Sequence, residues 1–284
     1  MLRMLRTCLN QFLAVAVLLD IFVTVRGSHA QDSPPAQQLL LQVIEADKQN
    51  RERMVNYLFR ETVELRYVCA PGVHAPSEAK TYEVILIEGE PYFQLVEENG
   101  RPISAKKSRE EESKMRKVAD QRRASRLARK TLPTQTGRTA YRYEHLADFH
   151  AARHGGTELR NDRALVVLET EPVPGVAART EEELILVNSR TKLWVDAQTR
   201  IPVKGEVRII KEGAKWPRGM VLEAESELLD GGWIPRRLYT RRPLTGPASR
   251  LAKCDSVEVE QSLSKFRKFE AESKFYPGDM VPEN

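Results

Sequence analysis

The spacing of apolar and polar residues changes several times along this chain, and each change marks an element. In residues 37–54, Leu40, Val43, Ile44 and Asp47 fall on one side, a short stripe that predicts a helix. At Val55 the period becomes two. Val55, Tyr57, Phe59, Val63, Leu65 and Tyr67 alternate with Asn56, Arg60, Thr62, Glu64 and Arg66, the pattern of a half-buried strand. Pro71, Gly72 and Pro76 end it. Residues 81–87 and 92–96 flank Glu88-Gly89-Glu90-Pro91 and predict a hairpin, closed at its far side by a tight Asn99-Gly100 turn.

From 105 to 132 the chain is charged and free of Gly and Pro, with eleven basic and four acidic residues between Lys106 and Lys130. Met115, Val118, Ala119 and Leu127 give only a thin apolar line, so this predicts a basic surface helix, an insertion of 104–132. Residues 141–153 read as a second helix stopped by Gly155-Gly156. Residues 164–172 read as a strand, and 181–188 as a helical turn or two. A ladder of strand-length segments fills 191–242, in which Met220, Leu222, Ala224, Ser226 and Leu228 face away from Val221, Glu223, Glu225 and Glu227. A last pair of strands is expected at 249–261 and 265–274. The sum is nine or ten strands with helices in three places, an α+β pattern on an antiparallel sheet.

The N-terminus adds a compartment. Arg3 and Arg6 precede an apolar run from Phe12 to Val25, and Ser28-His29-Ala30 supplies small residues before Gln31. That is the layout of a secretory signal peptide, cleaved near Ala30. Asp20 inside the run makes a retained anchor costly, and Cys8 lies before the run, where no lipid-attachment cysteine would sit. The expected organisation is a leader at 1–30, a linker at 31–35, one domain at 36–276 and a tail at 277–284. Without the leader the balance is 42 basic to 39 acidic residues, only mildly basic. Cys69 and Cys254 are then the remaining cysteines; export permits a bridge between them, and two buried thiols are the alternative.

Little in the sequence points to catalysis. There is no G-x-S-x-G elbow, H-E-x-x-H, phosphate loop or dinucleotide fingerprint. His150 and His154 would stand one turn apart if 141–153 were helical, a spacing that can chelate zinc, but His145 rotates off that face and no third ligand is evident. A polar helix face is the simpler reading. No catalytic residue, metal or cofactor is expected. The basic run at 106–130 could meet an anionic membrane surface; export and the lack of interleaved aromatics argue against nucleic acid. Tyr57, Phe59, Tyr82, Leu86, Phe93, Trp194, Leu222 and Trp233 are either ordinary core or the lining of one concave sheet face, and a long sheet with few helices to cover it favours the second.

KLWVDAQTRIPVKGEV at Trp194 and GGWIPRRL at Trp233 resemble the LolA/LolB/RseB-like superfamily, and more closely outer membrane lipoprotein-sorting protein homologues. NYLFRETVELR, YEVILIEGEPYFQLVEENGRPIS and the closing FRKFEAES are similar to the same group. The resemblance implies a curved, unclosed antiparallel β-barrel with helices over its open side and an apolar cavity between them. It implies a periplasmic, non-enzymatic carrier that holds lipid or the acyl chains of lipoproteins. The rivals are an envelope-stress or assembly factor that binds a protein partner through the same sheet, and a metal-dependent hydrolase built on His150 and His154.

Overall fold

The period-two segments pair with one another in chain order, and the chain's two halves meet along a single seam. A computed structural model describes residues 35–54, 57–75, 77–127, 144–213, 216–244 and 253–268. The expected leader (1–30), residues 31–34 of the linker and the tail (277–284) lie outside the described residues. Eleven strands form one sheet: β1 (Tyr57–Cys69), β2 (Glu78–Ile87), β3 (Glu90–Glu98), β4 (Arg101–Pro102), β5 (His150–Arg160), β6 (Arg163–Pro172), β7 (Ser189–Asp196), β8 (Pro202–Ile209), β9 (Val221–Leu229), β10 (Gly232–Pro243) and β11 (Cys254–Lys268). Their order is β4-β3-β2-β1-β11-β10-β9-β8-β7-β6-β5. Every strand pair is antiparallel. Only β1 and β11 are neighbours in the sheet without being neighbours in the chain. The sheet is an unclosed barrel: it ends in β4 on one side and β5 on the other.

Four helices accompany the sheet among the described residues: α1 (Ala36–Met54), α2 (Ala105–Leu127), α3 (Leu146–Phe149) and α4 (Glu181–Val187). Leu39, Leu40 and Val43 of α1 are fully buried, which is the face the stripe predicts; Ile44 is half-buried. Asn50 ties the helix to β10 through a reciprocal pair, its Nδ2 donating to the Trp233 carbonyl (2.6 Å) and its Oδ1 accepting from Trp233 N–H (3.0 Å). A capping box starts α4: the Thr180 hydroxyl accepts from Glu183 N–H (3.1 Å) while the Glu183 carboxylate accepts from Thr180 N–H (3.1 Å). Its Ile185 packs on Ile209 and Met220. No described helix is long and apolar enough to cross a membrane.

Three sequence expectations change. Within the described part of the helix expected at 141–153, residues 144–153, only the single turn α3 is helical, and the chain turns extended at His150 (φ −124°, ψ 140°) to start β5. Gly155-Gly156 is therefore not a helix stop. It forms a bulge where β5 slips register against β6, with Gly156 at φ +116°. A Cβ on Gly155 would come within 3.0 Å of Val167 Cγ1. The final pair of strands is one strand, β11, interrupted by a bulge at Lys265 rather than by a turn; 249–252 and 269–274 lie outside the described residues. Among the described residues the strands number eleven, because β5 occupies part of the segment whose pattern predicts a helix and β4 is only two residues long.

Cys69 and Cys254 are joined by a disulfide across a sequence separation of 185 residues, at the end of the β1–β11 seam. A cross-link over so long a span restricts the unfolded chain strongly. Replacing both cysteines by serine should therefore lower the urea unfolding free energy by roughly 2–5 kcal/mol. Equal midpoints for the parent in the presence and absence of a reducing agent would contradict this.

Candidate functional site

The two faces of the sheet differ in chemistry. Residues directly opposite in an antiparallel pair lie on the same face, so register alone sorts the side chains. One cross-strand row runs Val207, Leu222, Thr240, Val259, Leu65, and the next runs Gly205, Ala224, Leu238, Gln261, Val63. The rows on the opposite face run Lys204, Glu225, Arg237, Ser262, Thr62 and Glu206, Glu223, Tyr239, Glu260, Glu64. There Arg237 meets Glu260 (3.0 Å) and Glu223 (3.6 Å), Lys204 meets Glu225 (3.4 Å), and Arg66 meets Glu260 (3.2 Å). The Tyr239 hydroxyl donates to Glu258 (2.8 Å).

The apolar face is covered unevenly. Over β6 to β8 it is sealed: Leu168, Leu193, Val195, Thr191 and Ile209 are at most 3 % exposed. Over β9, β10, β11 and β1 the same face continues with Leu222, Ala224, Leu238, Val259, Val63 and Leu65, all half-buried. Tyr67 and Leu228 reach 41 % and 42 % exposure on it. Apolar side chains in sequential register, left partly open to solvent over four strands, form a surface fit for an apolar ligand.

Of the eight residues expected to line a cavity, Phe59, Tyr82, Leu86, Phe93, Leu222 and, opposite Leu228, Trp233 share this face by register. Leu222 belongs to the first row; Phe59, Tyr82, Leu86 and Phe93 lie on the same side of β1, β2 and β3, where Phe59 pairs with Val84 and Val84 with Phe93. Tyr57 opens β1 with its hydroxyl on Asp230 (3.4 Å). Trp194 stands apart. Trp194 is on the charged face, its ring between Lys192 (4.6 Å) and Lys204 (5.0 Å) and its Nε1–H donating to Glu158 (2.9 Å). Trp233 is 7 % exposed, packed with Leu165, Ile201 and Val203 and stacked under Arg163 (5.5 Å). Val63, Leu65, Leu238 and Val259 were not singled out; their alternation is visible in the sequence, but their convergence depends on the β1–β11 and β10–β11 registers.

The Trp-Val-Asp stretch has a structural role. Asp196 is 1 % exposed and Oδ1 accepts from Thr199 N–H (2.8 Å), Thr199 Oγ1 (2.9 Å) and Gln198 N–H (3.2 Å), while Arg163 Nε donates to Oδ2 (2.6 Å). Burial alone would raise the Asp196 pKa; the hydrogen bonds from Arg163 and Thr199 outweigh it and hold the group below the ordinary carboxylate value. Asp196 thus anchors the β7–β8 turn.

The histidine pair does not form a chelate. On a strand, His150 and His154 are about 13 Å apart along the chain rather than one helical turn. His150 is 1 % exposed and uses both ring nitrogens: Nε2 lies 2.7 Å from the Leu186 carbonyl and Nδ1 2.8 Å from Thr170 Oγ1. Because a carbonyl can only accept, Nε2 carries the proton and the Thr170 hydroxyl donates to Nδ1 of the neutral ring. No cluster of three or more potential metal ligands occurs among the described residues.

The basic helix spends its cations on the sheet. Arg122, 6 % exposed, donates to the carbonyls of Ile87 (2.9 Å), Glu90 (2.8 Å) and Pro91 (2.9 Å). Arg123 and Arg126 pair with Glu88, Lys107 with Glu98, and Lys114 with Glu111. Lys106, Arg109, Arg116 and Lys117 have no ion-pair partner among the described residues, and they share the exposed surface with Glu110, Glu112 and Asp120. Because Arg123 and Arg126 share Glu88, the surplus among the described residues is two positive charges, which is small for a helix of this length.

No family model matches the chain, and no curated protein matches it in sequence. Several solved structures are similar to it over most of their length, at low sequence identity. A DUF1329 family protein from Desulfovibrio piger is 14 % identical with a TM-score of 0.38, covering 83 % of this chain and 94 % of its own. A putative outer membrane lipoprotein-sorting protein domain from Vibrio parahaemolyticus is 13 % identical with a TM-score of 0.35, covering 84 % and 96 %. A LolA superfamily protein from Nitrosomonas europaea is 14 % identical with a TM-score of 0.35, covering 88 % and 100 %. The open strand order and the division into two faces stand on the pairing itself.

Burial lowers the His150 pKa below that of a free histidine, with the bonds to Leu186 and Thr170 opposing the shift. Below the unfolded value of about 6.5, the unfolded chain binds a proton that the folded chain does not. Stability from this site is therefore complete above that pH and falls as pH drops, by at most about 1.4 kcal/mol per pH unit for one proton. Asp47, whose pKa burial raises, acts in the opposite sense. Urea unfolding between pH 7 and 5 should show a shallower loss of stability in His150→Gln than in the parent; parallel curves would contradict the assignment.

Proposed function

We propose that this protein is an exported, non-enzymatic carrier that holds the acyl chains of a lipid or lipoprotein against the open half of its apolar sheet face, in the periplasm. One observation carries the reading: the apolar rows continue across β9, β10, β11 and β1 beyond the part that is sealed over β6 to β8, and the side chains there are only half-buried among the described residues. An acyl chain gains about 0.8 kcal/mol for each methylene taken from water, so a moderate stretch of contact supports reversible micromolar binding. Nothing catalytic is needed for that work. The leader read from residues 1–30 supports the compartment, and the disulfide suits an oxidising one. The resemblance at the Trp194 and Trp233 strands supports the class of cargo.

Delipidated protein incubated with a fluorescent fatty acid or lipopeptide should retain it through gel filtration. Leu238→Asp, which places a charge in the middle of the open rows, should weaken retention at least about tenfold, a change of 1.4 kcal/mol. Glu223→Gln, on the opposite face, should leave it unchanged. Absence of retention at micromolar protein would sink the reading, as would equal effects of the two substitutions. A single co-purifying protein with no lipid would instead favour a partner-binding role for the same sheet.

A further inference from the structure

We propose that the end of the sheet where β1, β2 and β11 meet binds the anionic head of an amphiphile, a carboxylate or a phosphate, in a cavity of about 280 Å³. The proposal rests on the acyl-carrier reading and assigns the polar end of the cargo. Phe59, Arg60, Glu83, Lys265, Phe266 and Arg267 line the cavity. Three cations face one carboxylate, and that carboxylate is engaged: Arg60 Nη2 donates to Glu83 at 2.8 Å. Lys265 and Arg267 are exposed and have no ion-pair partner among the described residues. An anion entering here meets two uncommitted cations.

The backbone produces this arrangement. Opposite Phe59, β11 carries two residues, Lys265 and Phe266, because the β1–β11 register slips between Leu58 and Arg60. Lys265 takes φ +54°, a left-handed conformation uncommon for a side-chain-bearing residue. The bulge brings the Phe266 ring to 5.6 Å from that of Phe59 as the floor of the cavity. Arg236 stacks on Phe266 from the side (5.4 Å), held there by Glu227 (2.6 Å) and the Leu263 carbonyl (3.2 Å). Arg60 Nε is also the one buried side-chain polar atom without a hydrogen-bond partner among the described residues. An orphaned donor in the wall of a cationic cavity is a position that an anion's oxygen would satisfy.

The cavity adjoins the open apolar face. Phe59, Val63 and Leu65 lie on the same side of β1, about 20 Å from first to last, with buried Glu61 between Phe59 and Val63. A chain laid along these positions would bring its head to the bulge at Lys265, where Arg267, opposite Leu58, enters the cavity from the other face of the sheet.

The test compares dodecyl phosphate, dodecyltrimethylammonium and inorganic phosphate as ligands of the delipidated full chain, below micelle-forming concentrations. The variants are Arg267→Gln and the double variant Lys265→Asn/Arg267→Gln, asparagine being tolerated at positive φ. Dodecyl phosphate should bind the parent at least about tenfold more tightly than the ammonium probe, and the double variant should remove that preference while still binding the ammonium probe. Raising ionic strength should narrow the same gap. Inorganic phosphate that binds the parent and not the double variant would place a free anion in the site as well as a lipid head; phosphate that fails to bind assigns the site to the amphiphile. Equal affinity of parent and both variants for dodecyl phosphate would overturn the proposal, as would equal affinity of the two dodecyl probes for the parent. Binding of both probes alike removes the head site and leaves the acyl reading standing; binding of neither removes both.

Discussion

The pairing of β1 with β11 is the constraint on which the rest of the structure depends. Every other strand neighbour in the sheet is also a neighbour along the chain, so hairpins alone could build β1 to β4 and β5 to β11 as separate meanders. The seam joins them, with twelve paired positions from Tyr57–Lys268 to Cys69–Cys254. It closes the longest loop in the fold, which is costly in chain entropy and slow to form. A disulfide at one end and a bulge at the other bracket it. The open apolar rows cross this seam, and the cavity at Phe59 and Phe266 lies at its bulged end. A register error of one residue here would reverse the faces of half the sheet.

The charged face guards against that error. Exposed ion pairs such as Arg66–Glu260 and Lys204–Glu225 contribute little stability singly, in the range of 0–1 kcal/mol. Their value lies in specificity. Shifting β11 by one position would carry Glu258 and Glu260 onto the apolar face and Val257 and Val259 into water. Trp194 belongs to this same device: its indole takes the ammonium groups of Lys192 and Lys204 over its ring and Glu158 on its nitrogen, so a large apolar side chain is made compatible with a wet surface.

Legibility in the sequence followed the range of the interaction. Local periodicity located α1, the β2–β3 hairpin and the ladder from β7 to β10, because alternation and turn residues act within a few positions. It failed at 141–153, where charged and histidine residues allow either helix or strand, and where Gly155-Gly156 serves a bulge instead of a helix end. The binding face was half legible. Phe59, Tyr82, Leu86, Phe93, Leu222 and Trp233 share it, whereas Trp194 lies on the charged face. Val259 and Leu238 join it only through pairings between distant segments, which no local pattern encodes.

The uneven cover over the apolar face connects fold to function. A sheet whose apolar face was sealed over its whole width would be a core, and one with none of it covered would expose enough apolar surface to associate with other sheets. Here α1 and α4 contribute Leu39, Leu40, Val43, Ile185 and Leu186 to a closed region, and His150 is buried beside it with both nitrogens satisfied. The seam strands β1 and β11 carry the remainder of the face out to the bulge at Lys265. Under the proposed carrier role, stability and binding would fall to different strands of one continuous sheet, so that a ligand could enter and leave the second region without unpacking the first. The residues of the open rows are mostly small or medium in size, Val, Leu, Ala and Thr, with Gln261 the polar member and Tyr67 the large one, and they form a strip along the strands. Such a strip distinguishes length and apolarity far better than shape, which suits cargo made of flexible methylene chains, and it leaves selectivity to the polar groups at its end.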